Sequence, residues 1–252
     1  MQVVDRPGVG SFARGGDPRP GRWGVHESSR VISEGTVAGS RLLRLPGNGG
    51  GERVACLLTV KSMSLSPIIL ASASPRRTSL LREAGFEFQV IPGQVEELQP
   101  AHLSPHEICQ VNAYRKAWAV AKHHADAVVI GADTLVFLGT KVYGKPASME
   151  EAMGMLGELQ GKTHHVVTGV CLIHHRRHQQ HIFAEGTAVR FRPLSAEEIA
   201  DYLKVINPLD KAGGYAIQEH GTRIIEGIDG SYSNVVGLPI ERLQQVLVGF
   251  RG

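Results

Sequence analysis

The sequence predicts an α/β fold, because short apolar segments alternate with segments of helical periodicity from Ile68 onward. The first segment, 68–71, is apolar throughout, and the apolar residues Leu80, Leu81 and Ala84 then recur at helical spacing. The chain has 252 residues and is 42% hydrophobic, so it is long enough to bury a sizeable core. We therefore expect a globular domain built from strands and helices.

The same patterns predict the elements in order along the chain. Capping signals support several boundaries, notably Ser195 with Glu198 three residues later, which is the capping-box spacing. The expected elements are a strand at 68–71, a helix at 75–84, a strand at 86–91, a helix from about 104 to 124, a strand running from 128 to 138 into a turn at 139–140, a helix near 148–159, strands near 164–173 and 181–192, a helix at 195–204 and a last helix near 239–248.

Residues 1–62 differ in composition from the rest of the chain. They contain twelve of the thirty glycines and four of the thirteen prolines, and they show no sustained apolar period. We expect a disordered extension there, with Met63 as the natural start of a domain spanning 63–252. The alternative, a targeting sequence, is disfavoured by Asp5, Asp17, Glu27 and Glu34, because transit peptides are poor in acidic residues.

The net charge of +3 comes from the N-terminal part of the chain. Residues 1–62 hold nine Lys and Arg against five Asp and Glu, whereas 63–252 hold eighteen against nineteen. A nucleic-acid-binding surface usually shows as a clustered excess of basic residues, so we expect no nucleic-acid partner for the folded part. A nucleic-acid-binding function would depend on the N-terminal extension alone.

Cysteine usage and hydropathy indicate a cytoplasmic protein. Cys56, Cys109 and Cys171 are too few and too widely spaced for a disulfide framework or a metal knuckle, which fits a reducing compartment. No apolar run approaches the roughly 18 residues of a membrane-spanning helix, and the N-terminus lacks the apolar core of a signal peptide. We expect no membrane partner.

The segment from Ile68 to Arg77 has the pattern of an anion-binding site. A strand leads through Ser72 and Ser74 to Pro75, which suits the first position of a helix, and Ser74 is expected to cap that helix. Free N–H groups at a helix N-terminus favour a phosphate, and Arg76 and Arg77 add cationic donors. The alternative is an ordinary capped helix with two solvated arginines.

An acidic residue interrupts the most apolar strand of the chain. Asp133 lies within Val-Val-Ile-Gly-Ala-Asp-Thr-Leu-Val, where an unpaired carboxylate would be costly to bury. A metal ligand or a general base is the functional interpretation, and a salt-bridged structural aspartate is the alternative. Glu96 and Glu97 supply a second acidic pair, which taken alone is typical of a solvated loop. Together with Asp133 they could hold Mg²⁺.

Several other polar residues indicate a binding site only when they are considered together. Lys145 lies in a Gly-Lys-Pro turn, whereas Lys116 and Lys211 are not diagnostic alone. The amide of Gln218 complements the O4 acceptor and N3–H donor of uracil or thymine, although guanine presents a similar pair and the residue could be structural. A histidine-rich segment lacks nearby acids or cysteines, and we interpret it as a solvated hairpin between two strands; it comprises His174, His175, His178 and His181.

Taken in order, six motifs resemble the Maf family of nucleotide pyrophosphatases over about residues 67–248. They are Leu-Ala-Ser-Ala-Ser-Pro-Arg-Arg at 70–77, Val-Glu-Glu at 95–97, Gly-Ala-Asp-Thr at 131–134, Gly-Lys-Pro at 144–146, Leu-Asp-Lys-Ala-Gly-Gly-Tyr-Ala-Ile-Gln at 209–218 and Ile-Asp-Gly-Ser-Tyr-Ser-Asn-Val-Val-Gly-Leu-Pro at 228–239. The resemblance implies a two-lobed Maf/ITPase-like fold with a mixed central sheet and a cleft between the lobes. It also implies a hydrolase that depends on a divalent metal ion, Mg²⁺, Mn²⁺ or Co²⁺, and converts a nucleoside triphosphate to the monophosphate and pyrophosphate.

The resemblance also implies roles for individual residues. Asp133 matches the general base, and Glu97 with Asp133 would hold the metal. The positions implied in substrate binding are Ser72, Arg76, Arg77, Lys116, Thr134, Lys145, Lys211 and Gln218. Among these, Arg76, Thr134 and Gln218 resemble the positions by which the dTTP- and UTP-hydrolysing branch selects its substrate. The branch acting on 7-methyl-GTP lacks the run at 209–218.

Two alternatives stay open at the level of sequence. The family has been linked to septum formation and division control, so the protein could act as a regulator by binding, or hydrolyse another nucleotide such as 7-methyl-GTP. A homodimer is also open. A pure binding module has no need of the combined acidic and basic residues, which favours the enzyme.

Overall fold

The computed structural model describes residues 66–250 and, farther upstream, only the backbone of two short antiparallel strands, β1 (Thr36–Val37) and β2 (Ser40–Arg41). The chain divides into two units, Met1–Met63 and Ser64–Gly252. Apart from these two strands, residues 1–62 and the start at Met63 lie outside the described residues. The expectation of a disordered extension there stays a prediction.

A seven-stranded mixed sheet forms the centre of the second unit. Its spatial order is β4-β3-β5-β7-β8-β9, and β6 pairs with the end of β5. β3 runs parallel to β4 and β5, which helical crossovers allow, and the other pairs are antiparallel. The strands are β3 (Ile68–Leu70), β4 (Phe88–Val90), β5 (Val128–Leu138), β6 (Lys141–Tyr143), β7 (Thr163–His174), β8 (Gln179–Phe191) and β9 (Ile225–Asp229).

Six helices and three 3₁₀ turns accompany the sheet. The helices are α1 (Pro75–Glu83), α2 (Pro105–Ala121), α3 (Met149–Leu159), α4 (Ala196–Leu203), α5 (Tyr232–Val236) and α6 (Ile240–Phe250), and the 3₁₀ turns are Pro208–Asp210, Ala212–Gly214 and Gly221–Arg223. Ser195 and Glu198 form the expected capping box of α4, and Ser104 with Glu107 forms another at α2. No described helix combines the length and apolar content that crossing a membrane requires.

The α/β expectation is confirmed, with local corrections. Ser74 precedes α1 as expected, but its side chain makes no capping hydrogen bond, so the expectation of a side-chain cap was wrong. β7 and β8 do form a hairpin around the histidine-rich segment, yet His174 is buried and its Nε2 lies 3.1 Å from Ser66 Oγ rather than in solvent. The strand β9 and the short helix α5 were not predicted, because their segment is polar and short.

Of the four apolar clusters in the described residues, two lie at opposite ends of the sheet and define two lobes. Near β3 and β4, helices α1 and α6 pack on the sheet through residues such as Leu81 and Leu243. Near β6 and β9, helices α3 and α4 pack through residues such as Leu156 and Tyr202. The long strands β5, β7 and β8 run through both lobes, so the lobes share one continuous sheet.

Helix α2 lies against the sheet with almost no side chain between their backbones. A Cβ atom at Gly131 on β5 would overlap the carbonyl of Ala113, and one at Gly169 on β7 would overlap the backbone of Cys109. Ala117 is also fully buried there. The two glycines therefore permit a close approach that any larger residue would prevent.

Candidate active site

A cleft of about 600 Å³ lies between the lobes, and it brings together residues that are far apart in the sequence. Its walls come from the start of α1, the loop after β4, helix α2, the middle of β5 and the segment 210–218. The ten residues to which the resemblance assigns roles all line it: Ser72, Arg76, Arg77, Glu97, Lys116, Asp133, Thr134, Lys145, Lys211 and Gln218. Glu96, the other member of the acidic pair, does not line the cleft.

Two carboxylates share one ammonium in the wall of the cleft. Asp133 lies in the middle of β5, opposite Gly169 of β7, and is only 3% exposed. Lys116 Nζ donates to Asp133 Oδ1 at 2.7 Å and to Glu97 Oε1 at 2.6 Å. The cluster Glu97–Lys116–Asp133, here called the acidic centre, therefore joins two carboxylates through one amino group.

A residue that the sequence did not single out also contacts the acidic centre. The Nδ2 group of Asn112, one turn before Lys116 on α2, donates to Asp133 Oδ2 at 3.0 Å. Asparagine in the middle of a helix gives no sequence signal of function, so only the fold shows this contact. Both oxygens of Asp133 thus receive a hydrogen bond from α2, which fixes the orientation of the carboxylate.

Glu97 is ionised in this setting. Its partial burial opposes ionisation, but the hydrogen bond from Lys116 and the positive charges of Lys116, Lys145 and Arg77 outweigh that effect. The pKa of Glu97 is therefore lowered from its ordinary value. A charged carboxylate at this position can attract a metal ion or repel an unshielded phosphate.

Arg77 is buried and mainly holds the cleft together. Its Nε donates to the Gly237 carbonyl at 2.8 Å, and its Nη2 donates to Thr134 Oγ1 at 2.8 Å. Its Nη1 donates to Ser72 Oγ at 3.1 Å and to the Ala132 carbonyl at 3.0 Å. Burial lowers the pKa of its guanidinium, against the attraction of nearby carboxylates. Four of its five N–H donors are thus used within the protein.

Arg76 and Lys211 meet at Asp210, a second residue that the sequence did not single out. Arg76 reaches across the cleft to the side chain and the carbonyl of Asp210, each at 3.1 Å. The buried ammonium of Lys211 lies 2.8 Å from Asp210 Oδ1, 2.8 Å from the Asn207 carbonyl and 3.3 Å from a Glu219 carboxylate oxygen. Three oxygen atoms of the protein therefore already surround Lys211.

Lys145 and Gln218 present unpartnered polar groups to the cleft. Both side chains are exposed, and neither makes a hydrogen bond or an ion pair within residues 66–250. Lys145 is close enough to the acidic centre for its charge to lower the pKa of Glu97. Of the ten cleft residues, these two are therefore the most available to a ligand.

The acidic centre suits a divalent metal ion only in combination with a ligand. Within the described part of the chain, no group of three His, Cys, Asp or Glu residues is arranged to hold a metal. Mg²⁺, however, is commonly bound through one or two carboxylates, with phosphate oxygens and water as its other ligands. Glu97 and Asp133 provide that number of carboxylates, so the donor set fits a metal that arrives with a phosphate.

The family of the chain follows from its sequence match. Residues 67–250 match the family model described as Maf-like protein. The chain belongs to the Maf family. The match starts one residue before β3 and contains every cleft residue described above.

Several Maf relatives are similar to this chain over nearly their whole length. A protein of Pelotomaculum thermopropionicum named dTTP/UTP pyrophosphatase is 45% identical over 74% of this chain and 97% of its own. A protein of the same name from Akkermansia muciniphila is 45% identical over 73% and 97%, and one from Bacillus anthracis is 46% identical over 73% and 95%.

Proposed function

We propose that this Maf protein hydrolyses dTTP and UTP to the nucleoside monophosphate and pyrophosphate. Relatives with that name are about 45% identical over the part of the chain that contains the cleft. The observation that carries the proposal is the acidic centre, because a buried Asp133 and a half-exposed Glu97 that share one ammonium in the cleft suit hydrolysis of a polyphosphate better than binding alone. The same proposal places the protein in the cytoplasm with its nucleotide substrates.

The triphosphate would bind between α1 and Lys145. The first N–H groups of an α-helix have no partner inside the helix, and the side chain of Ser74 does not occupy those of α1. The exposed ammonium of Lys145 offers a point charge from the other side of the cleft. Arg76 adds a guanidinium whose partner, Asp210, is itself half-exposed and can exchange with a phosphate.

Glu97 and Asp133 would hold the divalent ion, with phosphate oxygens completing its coordination. When bound, Mg²⁺, Mn²⁺ or Co²⁺ neutralises charge on the phosphate oxygens. Lys116 contributes a positive charge at the same place, and one of its three N–H donors is not used by Glu97 or Asp133.

Asp133 would act as the base. A water molecule attacks at the α–β phosphate linkage, Asp133 accepts its proton, and the bridging P–O bond breaks so that pyrophosphate leaves. Hydrogen bonds from Lys116 and Asn112 keep the carboxylate oriented, and each oxygen retains a lone pair for the water. The burial of Asp133 keeps bulk water away from the reacting group.

Gln218 would recognise the base. Its amide is exposed at the cleft and has no partner within residues 66–250, so it can present a donor and an acceptor together. Uracil and thymine carry the complementary pair at O4 and N3–H. Guanine carries a similar pair, so the preference for pyrimidine nucleotides comes from the relatives named dTTP/UTP pyrophosphatase, and a panel of nucleotides that includes 7-methyl-GTP would measure it directly.

The substitution Asp133→Asn tests the proposal, because it keeps the size of the side chain and removes its charge and basicity. With dTTP or UTP and Mg²⁺ or Mn²⁺, wild-type protein should release pyrophosphate, and EDTA should stop the reaction. The variant should lose at least about a hundredfold in kcat. Pyrophosphate release measured beside a thermal melt would separate lost catalysis from lost folding.

Asp126→Asn is the matched control, since Asp126 is exposed and pairs with Arg176 away from the cleft. It should hydrolyse both nucleotides at close to the wild-type rate. Near-wild-type turnover by Asp133→Asn would remove Asp133 from the mechanism. Release of orthophosphate alone by the wild type would contradict the bond assigned here.

A further inference from the structure

The loop that carries Glu97 is attached to the fold in an unusual way. Residues 91–100 belong to no helix or strand, and residues 92–99 make no backbone–backbone hydrogen bond in the described part of the chain. Three side chains of α2 hold the loop instead. Asn112 binds both backbone groups of Leu98, Arg115 donates to the Glu96 carbonyl, and Lys116 donates to Glu97.

Of the three α2 side chains that hold the loop, Asn112 restricts its position most. Its Nδ2 donates to the Leu98 carbonyl at 3.0 Å, and its Oδ1 accepts from the Leu98 N–H at 2.9 Å. The second Nδ2 proton goes to Asp133 Oδ2 at 3.0 Å. Asn112 is 1% exposed, so water cannot easily replace any of these bonds. One planar amide therefore joins the loop to β5.

Lys116 also contacts both carboxylates, but it cannot set their geometry in the same way. Its ammonium is a point charge on a flexible stem with rotatable donors, whereas an amide directs its bonds within one plane. Asn112 and Lys116 are four residues apart and so lie on the same face of α2. Lys116 therefore supplies charge to the acidic centre. The directed hydrogen bonds of Asn112 set the separation of Glu97 and Asp133.

We propose that Asn112 is a positioning residue that fixes the separation of Glu97 and Asp133. It does not line the cleft and acts only through the residues it holds. The catalytic part of this inference rests on the proposed function, because it takes Glu97 and Asp133 as the working carboxylates. The tethering part concerns the loop alone and can be measured without substrate.

The test uses Asn112→Ala in the full chain and measures amide hydrogen exchange. The Leu98 amide loses its acceptor, so its exchange rate should rise at least about tenfold, while amides in the middle of β5 keep their wild-type protection. With UTP as substrate, kcat should fall about tenfold and the Mg²⁺ concentration for half-maximal activity should rise, whereas KM should change less than about twofold. Asn112→Ser, whose short side chain cannot span Leu98 and Asp133, should show the same pattern if Asn112→Ala folds poorly.

Asn234→Ala is the matched control. Asn234 is equally buried and its Nδ2 also donates two hydrogen bonds, to the Val166 carbonyl and to Thr187 Oγ1, but it contacts neither carboxylate. It should lower the melting temperature to a similar extent and leave both Leu98 exchange and the Mg²⁺ requirement unchanged.

If the Leu98 amide exchanges at the wild-type rate in Asn112→Ala, Asn112 does not hold the loop. If Asn112→Ala and Asn234→Ala change the Mg²⁺ requirement equally, Asn112 stabilises the fold but does not position the carboxylates. If the wild type hydrolyses neither dTTP nor UTP, the proposed function fails, and the exchange of Leu98 still decides whether Asn112 holds the loop.

Discussion

At the scale of single residues, the cleft separates side chains that hold it together from side chains left free for a ligand. Arg77 and Lys211 carry full charges, yet oxygen atoms of the protein take up nearly all of their donors. Lys145 and Gln218 have no such partners in residues 66–250. The contribution of a charged residue to substrate binding thus depends on what it already contacts.

Gln218→Glu tests whether this free amide selects the base. The change replaces the amide donor with a second acceptor, which would face the O4 atom of uracil or thymine. The efficiency kcat/KM for UTP and dTTP should fall by about tenfold or more, corresponding to roughly 1–3 kcal/mol, with less effect on poor substrates. Steady-state kinetics over a panel of nucleotides provides the measurement.

Gln180→Glu, an exposed change on β8 outside the cleft, introduces the same charge and should leave kcat/KM unaltered. An equal loss with every nucleotide, or unchanged preference for UTP, would show that Gln218 does not read the base.

The sequence identified the residues that are chemically unusual for their local context. An aspartate inside an apolar strand and two arginines after a strand–proline junction are visible without a structure. Asn112 and Asp210 were missed because their neighbours in sequence are ordinary and their partners lie 21 and 134 residues away. Such residues become significant only when the fold supplies those partners.

At the scale of elements, α4 supports the segment that carries Gln218. The hydroxyl of Tyr202 donates to the Ala216 carbonyl and accepts from the Ala216 N–H, both at 3.1 Å, and Tyr202 is fully buried. A single phenol therefore satisfies both backbone groups of a residue two positions before Gln218.

Tyr202→Phe removes only that hydroxyl and leaves the two backbone groups without a partner. The free energy of unfolding should fall by about 1–3 kcal/mol, and the KM for UTP should rise as the segment loses its support. Denaturant melts and steady-state kinetics measure the two effects. Tyr114→Phe is the control, since the Tyr114 hydroxyl makes no hydrogen bond in the described part of the chain and its ring stacks on Trp118. Equal free energies of unfolding for Tyr202→Phe and Tyr114→Phe would contradict this role of Tyr202.

The elements that sequence patterns predicted well are those with a strong period or a capping signal. Helix α4 has both, helix α2 has a capping box but a weak apolar period, and the capping residues of both lie next to the predicted boundaries. β9 and the 3₁₀ turns have neither, because short polar segments are stabilised by contacts with other parts of the chain. Part of the cleft wall, at Asp210 and Ala212, lies in two of those unpredicted 3₁₀ turns.

At the scale of the whole molecule, a buried histidine links stability to pH. His164 is fully buried, its Nε2 lies 2.7 Å from the Tyr215 hydroxyl, and its Nδ1 has no partner. Burial lowers its pKa from 6.5 to about 3. The unfolded chain therefore binds a proton below about pH 6.5 that the folded chain does not bind until about pH 3.

The folded state is therefore most stable, as far as His164 is concerned, above about pH 6.5. That stability is lost as the pH falls toward 3. The free energy of unfolding should decline in that window by up to about 1.4 kcal/mol per pH unit from this residue. Urea melts at several pH values should show a shallower decline for His164→Gln, although that variant starts from lower stability. His123→Gln, an exposed change elsewhere on the chain, should keep the wild-type slope, and equal slopes for all three proteins would exclude His164 as the source.

The contact of α2 with Gly131 and Gly169 packs one side of the cleft tightly. Because backbone already meets backbone there, α2 has no space in which to slide or tilt toward the sheet, and Asn112 and Lys116 are carried on that rigid support. On the opposite side of the cleft, 3₁₀ turns and loops rather than a packed helix carry Lys211 and Gln218. Under the proposed function, the carboxylates that would carry out hydrolysis therefore lie beside the tightly packed helix, and the side chain that would contact the base lies on the loop side.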